Sequence, residues 1–206
     1  MQPVVDYFLT SVSPWTYLGH RPIQEVAARH GARLVVRPVN LGEMFKISGQ
    51  VALGERPAVR RRYRDIELQR YAEMRGRTLN LKPKHFPTNP ALADHSIIAL
   101  VEAGADPFAY MDRVFSAVWA NERDIADPAV LGELLTASGF DAAAILDKAN
   151  SEPVAAHRAA NTQAAIAADA TGVPSFVLNG EPFWGQDRID MLERALSSGR
   201  GPYRSA

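Results

Sequence analysis

The sequence predicts an α/β fold in which a β-α-β unit and a later β-β-α unit enclose a block of helices. Near the start of the 206 residues, a buried strand over residues 4–9 runs through a short polar turn into a helix that opens at Ser13-Pro14. Near the end, Asn179-Gly180 separates two short apolar runs, which is a strong hairpin signal. The length suits one domain that carries a large insertion.

The first helix is predicted to begin at Ser13, because serine is a favoured N-cap and proline a favoured first helical residue. Apolar residues then recur at helical spacing until Gly31 ends the helix. Residues 34–36 form the next strand and close a β-α-β unit with parallel strands. The segment 40–55, of mixed composition, is predicted to be an irregular loop of the kind that carries binding residues.

The middle of the chain is predicted to be helical. Residues 57–75 are periodic and stop at Gly76, and an alanine-rich helix covers residues 153–170. Between them, an Asn/Asp-Pro start signal opens three further helices. These signals are Asn89-Pro90, Asp106-Pro107 and Asp127-Pro128.

The C-terminal part returns to strands. After Val173-Pro174, residues 175–178 are predicted to form a strand and residues 182–184 its return strand, and the last helix starts at Asp187 or Arg188. The element order predicts a thioredoxin-like βαβ…ββα domain with an inserted all-helical domain. The expected limits are 1–55 and 151–206 for the two parts of the thioredoxin-like domain and 56–150 for the insertion.

Composition argues against several function classes. The 23 basic and 23 acidic side chains cancel, so nothing favours a nucleic acid or an anionic membrane as partner. The absence of cysteine excludes disulfides and intrinsic dithiol chemistry, and the five histidines lack ligand spacing, so no metal site is expected. No apolar run approaches the ~20 residues of a membrane span, and the N-terminus lacks a signal-peptide pattern, so we expect a cytoplasmic protein.

Ser13 occupies the position at which thioredoxin-like redox proteins place a reactive cysteine. The unpaired N–H groups and the positive end of the dipole at a helix N-terminus stabilise an anion there. Because a hydroxyl stands at this position, sulfur chemistry would need a thiol supplied by a ligand. Ser13 is also interpretable as an ordinary N-cap, and the two roles are compatible.

These motifs together resemble the glutathione-dependent 2-hydroxychromene-2-carboxylate isomerases and the related kappa-class glutathione transferases of the DsbA-like superfamily. The resemblance covers nearly the whole chain in the right order. It rests on the Ser-Pro-aromatic start at 13–19, on the segment 37–49, and on the C-terminal motifs at 172–176 and 183–188.

The resemblance implies that glutathione is the cofactor and that the Ser13 hydroxyl is catalytic, because it would activate the glutathione sulfur. The Val173 backbone would pair with the cysteinyl part, and Gln186 and Asp187 would hold the γ-glutamyl end. The residues implied for glutathione are Ser13, Pro14, Trp15, Gln50, Val173, Pro174, Gln186 and Asp187. Those expected near the substrate are Lys46, Tyr63 and Trp119. Two positions depart from the family pattern: Gln50 replaces a frequent asparagine, and Thr10 a frequent aspartate.

The implied activity is cis–trans isomerisation of an aromatic unsaturated keto acid, of the type that interconverts 2-hydroxychromene-2-carboxylate and trans-o-hydroxybenzylidenepyruvate in naphthalene breakdown. A thiolate added to the double bond allows rotation, and its expulsion returns the other isomer. The expected partners are glutathione, a small aromatic carboxylate and a second copy in a homodimer. Two alternatives stay open: a kappa-like transferase that conjugates electrophiles, and a non-catalytic thioredoxin-fold binding module.

Three smaller features of the sequence also carry predictions. The thioredoxin-like context predicts a cis peptide bond at Val173-Pro174. Phe183 and Trp184 are interpreted as core residues, with a platform for the cofactor as the alternative. A basic run is interpreted as a solvated helix face, with the alternative that one arginine reaches an anionic substrate carboxylate. This run consists of Arg56, Arg60, Arg61, Arg62 and Arg64.

Overall fold

A computed structural model of the protein describes residues 2–205, and its sheet has four strands. The strands are Val4–Leu9 (β1), Arg33–Pro38 (β2), Ser175–Leu178 (β3) and Glu181–Trp184 (β4). Their order is β2-β1-β3-β4, in which β1 and β2 run parallel and the β1/β3 and β3/β4 pairs are antiparallel. The predicted β-α-β and β-β-α units are therefore confirmed.

The helices cover the sheet and fill the insertion between its two halves. Helix α1, Pro14–Arg29, connects β1 to β2. The others, in chain order, are Leu41–Ser48 (α2), Ala58–Met74 (α3), Ala91–Glu102 (α4), Phe108–Trp119 (α5), Pro128–Thr136 (α6), Ala142–Ala149 (α7), Glu152–Ala167 (α8) and Ile189–Ser198 (α9). Short 3-10 helices occupy Leu53–Glu55 and Gln186–Arg188.

The Asn/Asp-Pro signals mark helix starts as predicted, for a visible reason. At Asn89, Asp106 and Asp127, the side-chain oxygen accepts the backbone N–H two residues further on, at 2.8 to 3.0 Å. Each side chain thus satisfies an N–H that the first helical turn leaves unpaired.

Two helices were missed. The prediction of an irregular loop over 40–55 is wrong between 41 and 48, where α2 lies. Asn40 caps this helix by accepting the Gly42 N–H at 3.1 Å, and Gly49, with φ of +68°, ends it. Helix α7 likewise begins at a capping Asp141.

The Asn179-Gly180 turn and the cis Val173-Pro174 bond are both confirmed. Asn179 and Gly180 have φ of +51° and +80°, as the tight turns that join twisted strands require. The bond between Val173 and Pro174 is cis.

One continuous hydrophobic core joins the sheet to the inserted helices. Tyr7 and Phe176 from the sheet pack in it with Ile97 of α4 and Phe115 of α5, and all four are fully buried. The predicted domain limits stay a prediction, because this core crosses them. Among residues 2–205, no helix is both long and apolar enough to cross a membrane.

Candidate functional site

A cleft of about 630 Å³ lies between α3 and the turn that follows β4. Its lining also includes the start of α1 and the segment after α2. Six of the residues that the sequence assigned to ligands line it: Trp15, Gln50, Tyr63, Val173, Gln186 and Asp187. The fold therefore brings together residues that are far apart in the sequence.

Ser13 is the N-cap of α1, as predicted. It is 6% exposed, and its Oγ accepts the Thr16 N–H at 3.2 Å. A hydroxyl has one donor and two acceptor lone pairs, so this bond leaves the Ser13 O–H free to donate. Within residues 2–205 that O–H has no acceptor. Trp15 lines the cleft, and Ser13 and Pro14 directly precede it in the chain.

A buried carboxylate holds the turn that leads to Ser13. Asp94 of α4 has no exposed surface, and it accepts the Thr10 hydroxyl at 2.9 Å and the Ser11 N–H at 2.8 Å. Arg158 of α8 donates to the same carboxylate at 2.7 Å. The carboxylate that holds this turn therefore comes from a helix far away in the sequence.

The backbone of Val173 presents unpaired hydrogen-bonding groups to the cleft. The neighbouring carbonyls are occupied, since Pro174 accepts the Gly185 N–H at 2.8 Å and Gly172 accepts the Ser175 hydroxyl at 2.7 Å. The N–H and C=O of Val173 have no partner within residues 2–205. An unpaired main-chain segment of this kind can pair with an extended peptide.

Gln186 is buried at the cleft with half of its amide unused. Its Oε1 accepts Arg75 Nη2 at 3.2 Å, whereas its Nε2 has no partner within residues 2–205. Leaving a buried amide donor unpaired costs free energy, which a ligand acceptor would recover. Gly19 permits the close approach of α1, because a Cβ at Gly19 would lie 2.8 Å from Gln186 Cβ.

Asp187 extends the same wall of the cleft. Its carboxylate contacts the Arg188 guanidinium, and its side chain is 38% exposed. Gly185 has φ of +102°, and a Cβ there would overlap Asp187 Oδ1. Only glycine therefore allows this placement of the carboxylate.

The aromatic residues of the cleft correct one expectation. Phe183 is buried in the core as expected, but Trp184 is 48% exposed and lines the cleft, so its core assignment is wrong. Trp15 meets Tyr71 edge to face at 6.2 Å between ring centroids. Burial raises the pKa of Tyr71 further above neutral, and its phenolic O–H can donate to a ligand.

Of the other residues predicted to bind glutathione or substrate, some line the cleft and others lie outside it. Gln50 lines the cleft, and its Nε2 donates to the Thr171 carbonyl at 2.7 Å. Lys46 is exposed outside the lining and pairs with Glu43 at 2.7 Å. The assignment of Trp119 to the substrate is wrong, because this residue has no exposed surface and packs in the core. Pro174 is buried and does not line the cleft.

Three residues of the basic run line the cleft beside α3, so the interpretation of this run as a solvated face is incomplete. They are Arg56, Arg60 and Arg64, and their position favours the alternative in which an arginine faces a ligand. For Arg60 and Arg64 the spacing of four residues was the available signal, because it places both on one side of α3, whereas Arg56 lies in the segment before the helix.

Comparison with known proteins decides the family. The model of the DSBA-like thioredoxin domain family matches residues 4–197. The chain belongs to the DSBA-like thioredoxin domain family. This DSBA-like chain is 30% identical over 198 residues to 2-hydroxychromene-2-carboxylate isomerase of Pseudomonas sp. (strain C18), covering 94% of this chain and 90% of the relative.

Solved structures agree with this assignment. A structure of 2-hydroxychromene-2-carboxylate isomerase is 28% identical with a TM-score of 0.74, and the match covers 94% of each chain. A probable DsbA oxidoreductase from Streptomyces coelicolor has the same fold, with a TM-score of 0.78 at 20% identity, covering all of this chain and 94% of that one. The resemblance and the fold class inferred from the sequence are confirmed. The named isomerase relatives support an isomerase activity for this DSBA-like protein.

Proposed function

We propose that this protein is a glutathione-dependent cis–trans isomerase of an aromatic unsaturated keto acid of the 2-hydroxychromene-2-carboxylate type. The observation that carries the proposal is the pair of unpaired polar groups in one cleft, the Val173 backbone and Gln186 Nε2, next to the N-terminus of α1. The relatives named 2-hydroxychromene-2-carboxylate isomerase support the reaction type.

The cleft has groups that fit the parts of glutathione. The Val173 N–H and C=O would pair with the cysteinyl peptide, as an added strand does. Gln186 Nε2 would donate to the γ-glutamyl carboxylate, and the Asp187 carboxylate would accept from its ammonium group. Gln50, tied to Thr171, would contribute its remaining carbonyl oxygen.

When bound, glutathione supplies a thiolate that adds to a carbon–carbon double bond, permits rotation and leaves again. The protein must keep that sulfur ionised, and a free thiol has a pKa of ~8.5. Lowering it by ~2 units corresponds to ~2.7 kcal/mol. The free O–H of Ser13 could contribute ~1.5–3 kcal/mol as a donor to a charged acceptor, and the N-terminus of α1 ~0.3–1 kcal/mol. The combined range of these two contributions, ~1.8–4 kcal/mol, includes the ~2.7 kcal/mol required.

The walls of the cleft suit an aromatic substrate. Trp15, Tyr63, Tyr71 and Trp184 all line it, and aromatic side chains pack favourably on an aromatic ring. The proposal includes a cytoplasmic location, where the glutathione pool is kept reduced. It also includes a homodimer, which sedimentation analysis would test.

Thermal unfolding tests the binding part of the proposal. Reduced glutathione at about 10 mM should raise the melting temperature, because it binds the native state alone. Asp187→Ala should weaken this shift, whereas Asp190→Ala, an exposed control on α9, should not. The absence of a shift with the unmodified protein would contradict the proposal.

Product analysis tests the reaction. A keto acid of the stated class should return as its other geometric isomer while the amount of glutathione stays constant. A stable glutathione adduct would instead show a transferase. Binding without any turnover of the keto acid would show a binding module.

A further inference from the structure

Three arginines form one wall of the cleft. Arg56, Arg60 and Arg64 follow one another at four-residue intervals along α3 and the segment before it, and all three line the cleft. Arg60 and Arg64 both lie on α3, and like charges four residues apart destabilise a helix. Helix stability therefore does not explain their presence.

Arg64 is the most enclosed of the three. Its side chain is 11% exposed, and the carboxylate next to it is that of Asp65, with Arg64 Nη1 and Asp65 Oδ1 3.7 Å apart. Within residues 2–205 the Arg64 guanidinium donates no hydrogen bond. Burial lowers the pKa of Arg64, Asp65 opposes this effect, and the charge of Arg56 adds to it.

The acidic groups of the cleft do not compensate this wall. Glu67 accepts Arg70 Nη1 at 2.5 Å, and Asp187 contacts Arg188. Each carboxylate thus has a cation of its own. The positive charge on α3 stays available to an anion that enters the cleft.

We propose that Arg64 is a carboxylate-binding residue of this cleft, with Arg56 and Arg60 adding positive potential around it. A guanidinium can give two parallel N–H···O bonds to a carboxylate, and a partly buried one gains most from doing so. The identity of the ligand rests on the proposed function. Under it, two carboxylates are available, that of the aromatic keto acid and the glycyl carboxylate of glutathione.

Two pairs of probes separate these sources, with affinities measured by calorimetry on the unmodified protein and on Arg64→Gln. The first pair is glutathione and its C-terminal amide, in which an uncharged carboxamide replaces the glycyl carboxylate. The second pair is cinnamate and the uncharged cinnamamide. In at least one pair, Arg64→Gln should lower the affinity for the charged member, glutathione or cinnamate, about tenfold or more. The affinity for its amide counterpart should stay unchanged.

Arg62→Gln provides the matched control, because Arg62 is exposed on the same helix and does not line the cleft. Arg62→Gln should leave the affinities for all four probes unchanged. The melting temperature of Arg64→Gln should stay equal or rise, because a like-charge contact is removed.

Three outcomes would overturn the assignment. The unmodified protein could bind neither glutathione nor cinnamate, or Arg64→Gln could bind both of them as tightly as the unmodified protein does. Arg64→Gln could also lose as much affinity for the amide of each pair as for the acid. Failure of glutathione alone to bind the unmodified protein would overturn the proposed function, while the cinnamate pair would still report on Arg64.

Discussion

The carboxylate of Asp94 accepts the backbone N–H of Ser11 at 2.8 Å, although 83 residues separate the two. Asp94 lies on α4, within the insertion, and Ser11 lies in the turn that leads from β1 into α1. The inserted helices therefore hold the turn that positions Ser13.

Removing this carboxylate should destabilise the whole fold. Asp94→Ala leaves the Arg158 guanidinium, 12% exposed, without its buried partner, and breaking such a pair costs ~3–5 kcal/mol. Urea unfolding would measure the loss. Glu133→Ala, which removes an exposed pair with Arg123, should cost only a fraction of it. Equal losses for the two variants would show that the Asp94 network contributes no special stability.

Gly185→Ala should displace Asp187 and weaken glutathione binding. The added Cβ would overlap the Asp187 carboxylate, and the φ of +102° is strained for alanine. Gly139→Ala is the control, because Gly139 also has a positive φ, of +84°, but has nothing within 4 Å of its Cβ position. Both variants should lower the melting temperature, but the glutathione-induced shift should shrink for Gly185→Ala alone. Retention of the full shift in Gly185→Ala would argue against a role of Asp187.

His20 should make stability fall in mild acid. Its Nε2 donates to the Phe108 carbonyl at 3.0 Å, and its Nδ1 is buried without a partner within residues 2–205. Burial lowers the pKa of His20 to about 4. Between this value and the ordinary ~6.5, the unfolded chain binds a proton that the native state does not, so stability falls as pH falls.

The matched variant for this prediction is His20→Gln, because its amide can still donate to Phe108 and does not titrate. The difference between the unfolding free energies at pH 7 and pH 4.5 should be smaller in this variant than in the unmodified protein. The same pH dependence in both would show that His20 is not the titrating group.

The parts of the fold that the sequence predicted depend on signals that act within a few residues. Ser13-Pro14 caps α1 through Thr16, and Asn179-Gly180 adopts the positive φ values of its turn within the pair itself. The helix α2 was missed although Asn40 and Gly49 carried its cap signals, because the mixed composition between them favoured a loop.

The sequence predicted those site residues that lie within short contiguous motifs. Gln186 and Asp187 lie just after β4, and Val173 lies just before β3, so the motifs place them. Asp94 was not assigned, because its role depends on contacts between distant elements. Arg64 was identified only as one of five arginines in the basic run, because its place in the cleft depends on the fold. Trp119 was misassigned for the same reason, since its burial depends on packing such as that against Phe86.

The central claim is that Ser13 and the N-terminus of α1 hold the sulfur of glutathione as a thiolate. Thiolate absorbance near 240 nm, followed against pH with glutathione bound, tests it most directly. The unmodified protein should give a thiol pKa well below ~8.5, and Ser13→Ala should raise it while glutathione affinity changes little. Loss of the N-cap should also lower stability by ~1 kcal/mol. A less stable Ser13→Ala protein with an unchanged thiol pKa would contradict the claim and leave Ser13 as a cap alone.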